Sequence, residues 1–275
     1  MSLSSLREKI TSAKLLMFVF LVGLLGLTFF VLKANAAPLP PLGATVTTTV
    51  LTAQTIQVTV VSNTAGTGAN WDFARSTDNI TRTVVNNSTA TTTPTYTFTG
   101  LTTNTLYYLH VAQGDGSVTS SYATSSAVYT LADTPGTPTL STAVIQGFTM
   151  VVNSSTNPAD TTYIVRDTGS ATTKYLQADK TWGTATASIS MANLGGNVNG
   201  TTTINLATNT LHTISVAAVN GDSSATTSYG TAVSIYTLAD TPGTPTLSTA
   251  VIQGFTMVVN SSTNPADTTY IVRDT

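Results

Sequence analysis

The sequence predicts an all-β protein: tandem β-sandwiches after an N-terminal hydrophobic helix. Three observations carry this. A 40-residue block, Tyr129–Thr168, returns letter for letter at Tyr236–Thr275, 107 residues later. Short runs in which Val, Ile, Tyr and Phe alternate with Thr and Gln are separated by Gly, Asn and Asp, the pattern of half-buried strands joined by turns. Only 8% of the chain is charged, against roughly 25% in ordinary soluble proteins, and Thr fills the polar positions. Thr is β-branched and fits a pleated surface. Such a chain hydroxylates its solvent face instead of charging it. A disordered, O-glycosylated stalk would also be Thr-rich, but it has no need of regularly spaced aromatic and aliphatic residues.

The first 36 residues read as a secretory signal peptide or membrane anchor. Arg7, Lys9 and Lys14 precede Leu15–Leu32, a run of 18 apolar or near-apolar residues. Ala34-Asn35-Ala36 is a small-x-small cleavage pattern. The apolar run also just reaches the length that spans a bilayer, so an uncleaved anchor stands as the alternative, with residues 15–32 the membrane contact. Either way the positive-inside rule places the remainder outside the cytoplasm, extracellular or at the cell surface. Pro38, Pro40 and Pro41 make 37–41 a Pro-rich linker.

The repeat sets the domains. Leu101–Gly116 parallels Leu206–Asp222, and the segments ending in Tyr129 and Tyr236 also match. The unit is about 100 residues, the size of an independently folding sandwich. Domain one is 42–131, domain two is 132–238, and 239–275 is a truncated third domain holding its first three strands. A piece that short rarely buries enough surface to fold alone and exposes an edge and an apolar face. The expectation is a fragment of a longer array.

Each element follows from its pattern. In Thr55–Val61, Ile56, Val58 and Val60 face inward. Asn70–Ser76 is a second strand, with Trp71 open between core and edge. Tyr96, Phe98 and Leu101 face inward along 95–101. Tyr107, Leu109 and Val111 face inward along 106–113, with Tyr108 and His110 outward. Ala127–Leu131 closes the unit. Turn signals stand between the strands at Gly66–Gly68, Asn86–Ser88 and Gly114–Gly116.

These residues carry a family resemblance. Gly100–Gly116, with Leu101, Asn104-Thr105, Tyr107 and alternating apolar residues after it, resembles the E–F corner and strand F of a fibronectin type III domain, an immunoglobulin-like sandwich. The resemblance makes Tyr107 the corner tyrosine, whose hydroxyl bonds back to the chain a few residues upstream. Tyr129–Leu140 resembles strand G, a linker and the Pro-marked first strand of the next domain. The Trp usual in strand B is missing; Val60 or Val61, and Val151 or Val152, stand in its place. His212 replaces the corner tyrosine in domain two and implies a weaker corner. An insert, Thr172–Ser188, is expected to add a hairpin carrying Tyr175 and Trp182.

The chemistry is sparse. The net charge of −2 and the lack of a basic patch argue against nucleic-acid binding. With no Cys, disulfides, thiolate catalysis and Cys-bound zinc are excluded. The two histidines, His110 and His212, lie in different domains with no partner at useful spacing for a triad. Asp115, Asp160 and Asp222 sit in turns, where Asp caps its own backbone. Gly114-Asp115-Gly116 lacks calcium-loop spacing. No cofactor is expected. The loops 113–121 and 220–228, with Asp115 and Asp222, occupy a place where some members of the family bind partners. Tyr175 and Trp182 read either as a small core or as an exposed sugar-stacking pair.

The expectation is therefore a non-catalytic extracellular or cell-surface protein, structural or adhesive, with a cell-wall glycan or another surface protein as partner. The alternative is a spacer or carbohydrate-binding region of a secreted polysaccharide-degrading enzyme whose catalytic domain lies beyond residue 275.

Overall fold

The computed structural model describes residues 46–61, 70–88, 94–114, 120–195, 201–202 and 205–274. The leader or anchor helix, the Pro-rich linker, Asp115 and the Gly66–Gly68 turn lie outside the described residues. Those described are all-β, without a helix, and among them no helix is long and apolar enough to cross a membrane.

The first repeat contains β1 (Val46–Thr52), β2 (Thr55–Val60), β3 (Asn70–Ser76), β4 (Thr83–Ser88), β5 (Thr95–Phe98), β6 (Leu106–Gly114), β7 (Ala123–Thr124) and β8 (Val128–Tyr129). They form two sheets, β1-β2-β5 and β4-β3-β6-β7, with β8 also on β6. The expected inward residues are buried: Ile56, Val58 and Val60 on β2, Leu109 and Val111 on β6. Trp71 is fully buried, so its strand faces it into the core. Val60 is buried and Val61 exposed, so Val60 takes the place of the missing strand-B Trp.

The second repeat contains β9 (Gly136–Val144), β10 (Gly147–Asn153), β11 (Thr162–Asp167), β12 (Lys174–Leu176), β13 (Trp182–Gly183), β14 (Ile189–Ser190), β15 (Thr201–Thr202), β16 (Leu211–Val219) and β17 (Val233–Tyr236). One sheet is β15-β10-β9; the other is β13-β12-β11-β16-β17, with β14 on β11. Between them lie Phe148, Met150 and Val152 of β10, Tyr163 and Val165 of β11, and Ile214, Val216 and Ala218 of β16. The predicted insert hairpin is β12–β13, which extends the second sheet.

The third repeat departs from expectation. It has β18 (Gly243–Val251) and β19 (Gly254–Asn260), paired with each other, but no third strand. Residues 269–274 repeat the sequence of β11 and are not a strand. In the second repeat β11 pairs along its length with β16.

By contact the chain divides into two compact units. One holds Val58–Tyr96, Tyr108–Ser126 and the start of β1; the other holds Thr49–Gln57, Thr97–Tyr107 and Ala127–Thr275. The division crosses the repeat boundary at 131/132: the corner end of repeat one belongs with repeat two. In the first unit, Phe73 stacks on Tyr96 with ring centroids 5.2 Å apart.

Phe148 is fully buried, whereas its copy Phe255 is 63% exposed. Trypsin should therefore cut after Arg273 before it cuts after Arg166, its copy on β11. Equal protection of both sites would show that the third repeat is covered in solution.

Candidate functional site: corners, histidines and aromatic faces

The first corner is built as the resemblance implies. Gly100 takes a left-handed φ of 63°, which glycine adopts without steric cost. Asn209 and Asn104 hold φ of 46° and 45° in the two corners, and Asn is among the few side chains that tolerate this region. The Thr102 amide then donates to the Tyr107 hydroxyl at 3.0 Å. Thr130 ties the closing strand to the same corner: its hydroxyl donates to the Thr102 carbonyl at 2.7 Å and accepts from the Thr105 amide at 3.0 Å.

The second corner works differently. His212 does not reach upstream. Its Nδ1–H donates to Asp167 Oδ2 at 2.6 Å, and both side chains are buried. The reading that His212 lacks a partner is corrected: its partner is on β11, 45 residues earlier. The Thr213 and Gly169 amides donate to Asp167 Oδ1, each at 2.9 Å. Burial alone would raise the Asp167 carboxyl. The bonds from His212, Gly169 and Thr213 outweigh it and hold the carboxyl below its usual range. The buried His212 Nε2 has no hydrogen-bond partner among the described residues and lies against Phe148, ring to ring at 6.0 Å.

His110 also differs from expectation. It lies on the outward side of β6, but it is fully buried. Its ring is covered by Tyr122, edge-on at 6.2 Å, and by Arg82, which itself sits 5.3 Å over the Tyr122 ring. Ser76 Oγ is 2.7 Å from Nε2, and Thr124 Oγ1 is 2.9 Å from Nδ1. Arg82 Nε points at Nδ1 from 3.4 Å as a donor. Nδ1 is therefore the acceptor and Nε2–H the donor to Ser76, the neutral tautomer. Burial, then the Arg82 charge, push the imidazole below its usual range.

Tyr175 and Trp182 do not form one platform. Leu176 pairs with Trp182 and Tyr175 with Gly183. Successive residues on a strand face opposite sides, so the two rings lie on opposite faces. Trp182 packs on the core beside Phe148, centroids 6.5 Å apart. Tyr175 shares its face with Arg166, its register partner. Arg166 lies 3.7 Å over the Tyr229 ring and donates to Ser215 Oγ at 3.3 Å. The first and second repeats thus each carry an Arg on a Tyr, Arg82–Tyr122 and Arg166–Tyr229. The tyrosines recur in Ser-Tyr dipeptides, a readable signal; Arg82 stands in the turn before β4 and Arg166 on β11, which is why sequence spacing missed them.

Three turn aspartates, Asp78, Asp179 and Asp222, accept from the backbone that follows them. Asp222 Oδ1 accepts from the Ser224 amide at 3.0 Å and its hydroxyl at 2.7 Å. Asp78 accepts from the Ile80 and Thr81 amides, which bring its carboxyl down to about 2. Among the described residues no group of three metal-ligating side chains stands together.

No protein-family model and no curated protein sequence matches the chain. The solved structures it is similar to include a two-domain fibronectin type III segment of chicken tenascin, at 13% identity over 72% of this chain and 99% of that one, with a TM-score of 0.47. The FN1–FN3 domains of chicken CNTN1 share 15% identity over 73% of this chain and 67% of theirs, with a TM-score of 0.30. Both are tandem fibronectin type III structures.

Two outcomes follow from this geometry. Tyr107→Phe removes the acceptor of the Thr102 amide and should cost about 1 kcal/mol in urea unfolding; no loss would show that the corner is held without it. The folded His110 stays neutral where the unfolded chain takes up a proton. Its contribution to stability is therefore full above the ordinary histidine range and falls as pH drops through about 6.5. Wild-type stability should decline as pH drops through about 6.5, above the window in which carboxylates protonate, and His110→Gln should flatten that decline.

Proposed function

We propose that the chain is a non-catalytic structural and adhesive protein of the cell exterior, working as an array of sandwich modules. The observation that carries this is recurrence. The β9–β10 hairpin and the turn after it are rebuilt residue for residue as β18–β19, with the same Asp–Ser, Asp–Thr and Asn–backbone bonds (Asp133 with Ser155, Thr156 and Asn157; Asp240 with Ser262, Thr263 and Asn264). Linked modules that each make a weak contact gain avidity through effective concentration. The groups best suited to chemistry support the same reading. His110, His212 and Asp167 are buried, and His110 and Asp167 spend their hydrogen bonds inside the sandwich. The accessory carbohydrate-binding reading loses its paired aromatic platform, since Tyr175 and Trp182 face opposite ways.

The test is protease shaving of intact bacterial cells expressing the whole chain. Digestion of the 46–274 region from outside, without lysis, is the expected result. Full protection until the cells are broken would overturn the exported reading.

A further inference from the structure

The corner of each repeat touches the repeat that follows, and the same atoms do it twice. At the first junction, Thr103 Oγ1 donates to the Thr156 carbonyl at 3.0 Å, and its oxygen lies 3.0 Å from Thr156 Oγ1. Asn104 Nδ2 donates to Thr161 Oγ1 at 3.0 Å and to the Val219 carbonyl at 3.3 Å. Asn104 Oδ1 accepts from the Gly221 amide at 2.8 Å. Thr103 and Asn104 are buried, 2% and 6% exposed. At the second junction, Thr208 Oγ1 donates to the Thr263 carbonyl at 2.7 Å and Asn209 Nδ2 to Thr268 Oγ1 at 2.9 Å. Thr208 is again buried, 3% exposed. All of these residues lie within one compact unit, which is why the corner of repeat one groups with repeat two.

We propose that the Leu-x-Thr-Asn-Thr corner, Leu101–Thr105 and Leu206–Thr210, is a docking site whose partner is another repeat of this type. What it recognises is the hairpin and turn that open the next repeat, Asp133–Thr161 and Asp240–Thr268. Three features make this a built interface. The Asn is held in left-handed backbone in both corners. The amide is used in full at the first junction, two donors and one acceptor, the pattern that only Asn or Gln supplies. The surface it meets is pre-formed: Asn157 Nδ2 donates to the Asp133 carbonyl and its Oδ1 accepts from the Asp133 amide, both at 2.7 Å, and Asn264 does the same for Asp240 at 2.8 and 2.7 Å.

At the second junction the Thr and Asn bonds go to the turn after β19. At the first junction the second sheet of the repeat adds the Val219 and Gly221 contacts. Gly221 is also sterically fixed: a Cβ there would run into the Tyr129 ring. This inference goes beyond the proposed function, because it holds wherever the array resides and whatever it binds.

Amide hydrogen exchange on the whole chain tests it. In the wild type the Gly221 amide should be protected, and Asn104→Gly, which keeps the left-handed backbone accessible, should speed its exchange at least about tenfold by removing three bonds at once. Asn209→Gly, at the other junction, should leave Gly221 unchanged. If Asn104→Gly fails to fold, Thr103→Val removes the hydroxyl at constant shape and should speed Gly221 exchange, while Thr103→Ser should not. An unprotected Gly221 in the wild type, or the same rate in wild type and Asn104→Gly, would overturn the docking site.

Discussion

The antiparallel pairing of β11 with β16 is what the second repeat depends on. From Thr162↔Val219 to Asp167↔Ile214 the two strands are in continuous register. That ladder sets Tyr163 and Val165 opposite Phe148 and Met150 of the other sheet and closes the core. Residues 269–274 have the sequence of β11 but are not a strand, and Ile271 is 97% exposed. Strand propensity measures the fit of a side chain to a pleated, half-buried surface, and that surface has to exist first. The same contrast separates Phe148 from Phe255. Full burial of such a side chain is worth roughly 1.5–3 kcal/mol, and only the second repeat collects it.

With so little charge, the polar interior is held by hydroxyls and amides. Buried polar groups cost free energy unless they are bonded, and here Thr103, Thr130, Thr208, Asn104 and Asn157 each satisfy backbone groups that no ladder reaches. The two histidines show two solutions to one problem. His110 stays neutral under a cover of Arg82 and Tyr122. His212 stands where Tyr107 stands in the first repeat and turns to a buried carboxylate instead of the upstream chain. The first corner is therefore pinned to its own turn, the second to the neighbouring strand.

The junctions extend the same chemistry across module boundaries. A Thr hydroxyl and an Asn amide are short, uncharged and insensitive to salt. They suit a boundary that must be the same each time a module is added. The Asp–Ser–Thr–Asn clip behind them makes the incoming surface rigid before it is met, which lowers the entropy lost on docking.

Much of this was legible beforehand. The strand faces at Ile56-Val58-Val60 and Tyr107-Leu109-Val111, the insert hairpin, the corner tyrosine and the Asp222 cap follow from alternation, spacing and turn chemistry, because those are properties of neighbours along the chain. What the amino-acid sequence determined by itself is an all-β array with hydroxylated surfaces and two unequal corners. What tertiary structure alone decided is everything that joins distant strands. It buried His110 and gave Asp167 to His212, it put Tyr175 and Trp182 on opposite faces, and it turned Asn104 into a bridge to the next repeat. Each of these depends on which strand lies alongside, and register between strands is set by packing, which one-dimensional spacing does not contain.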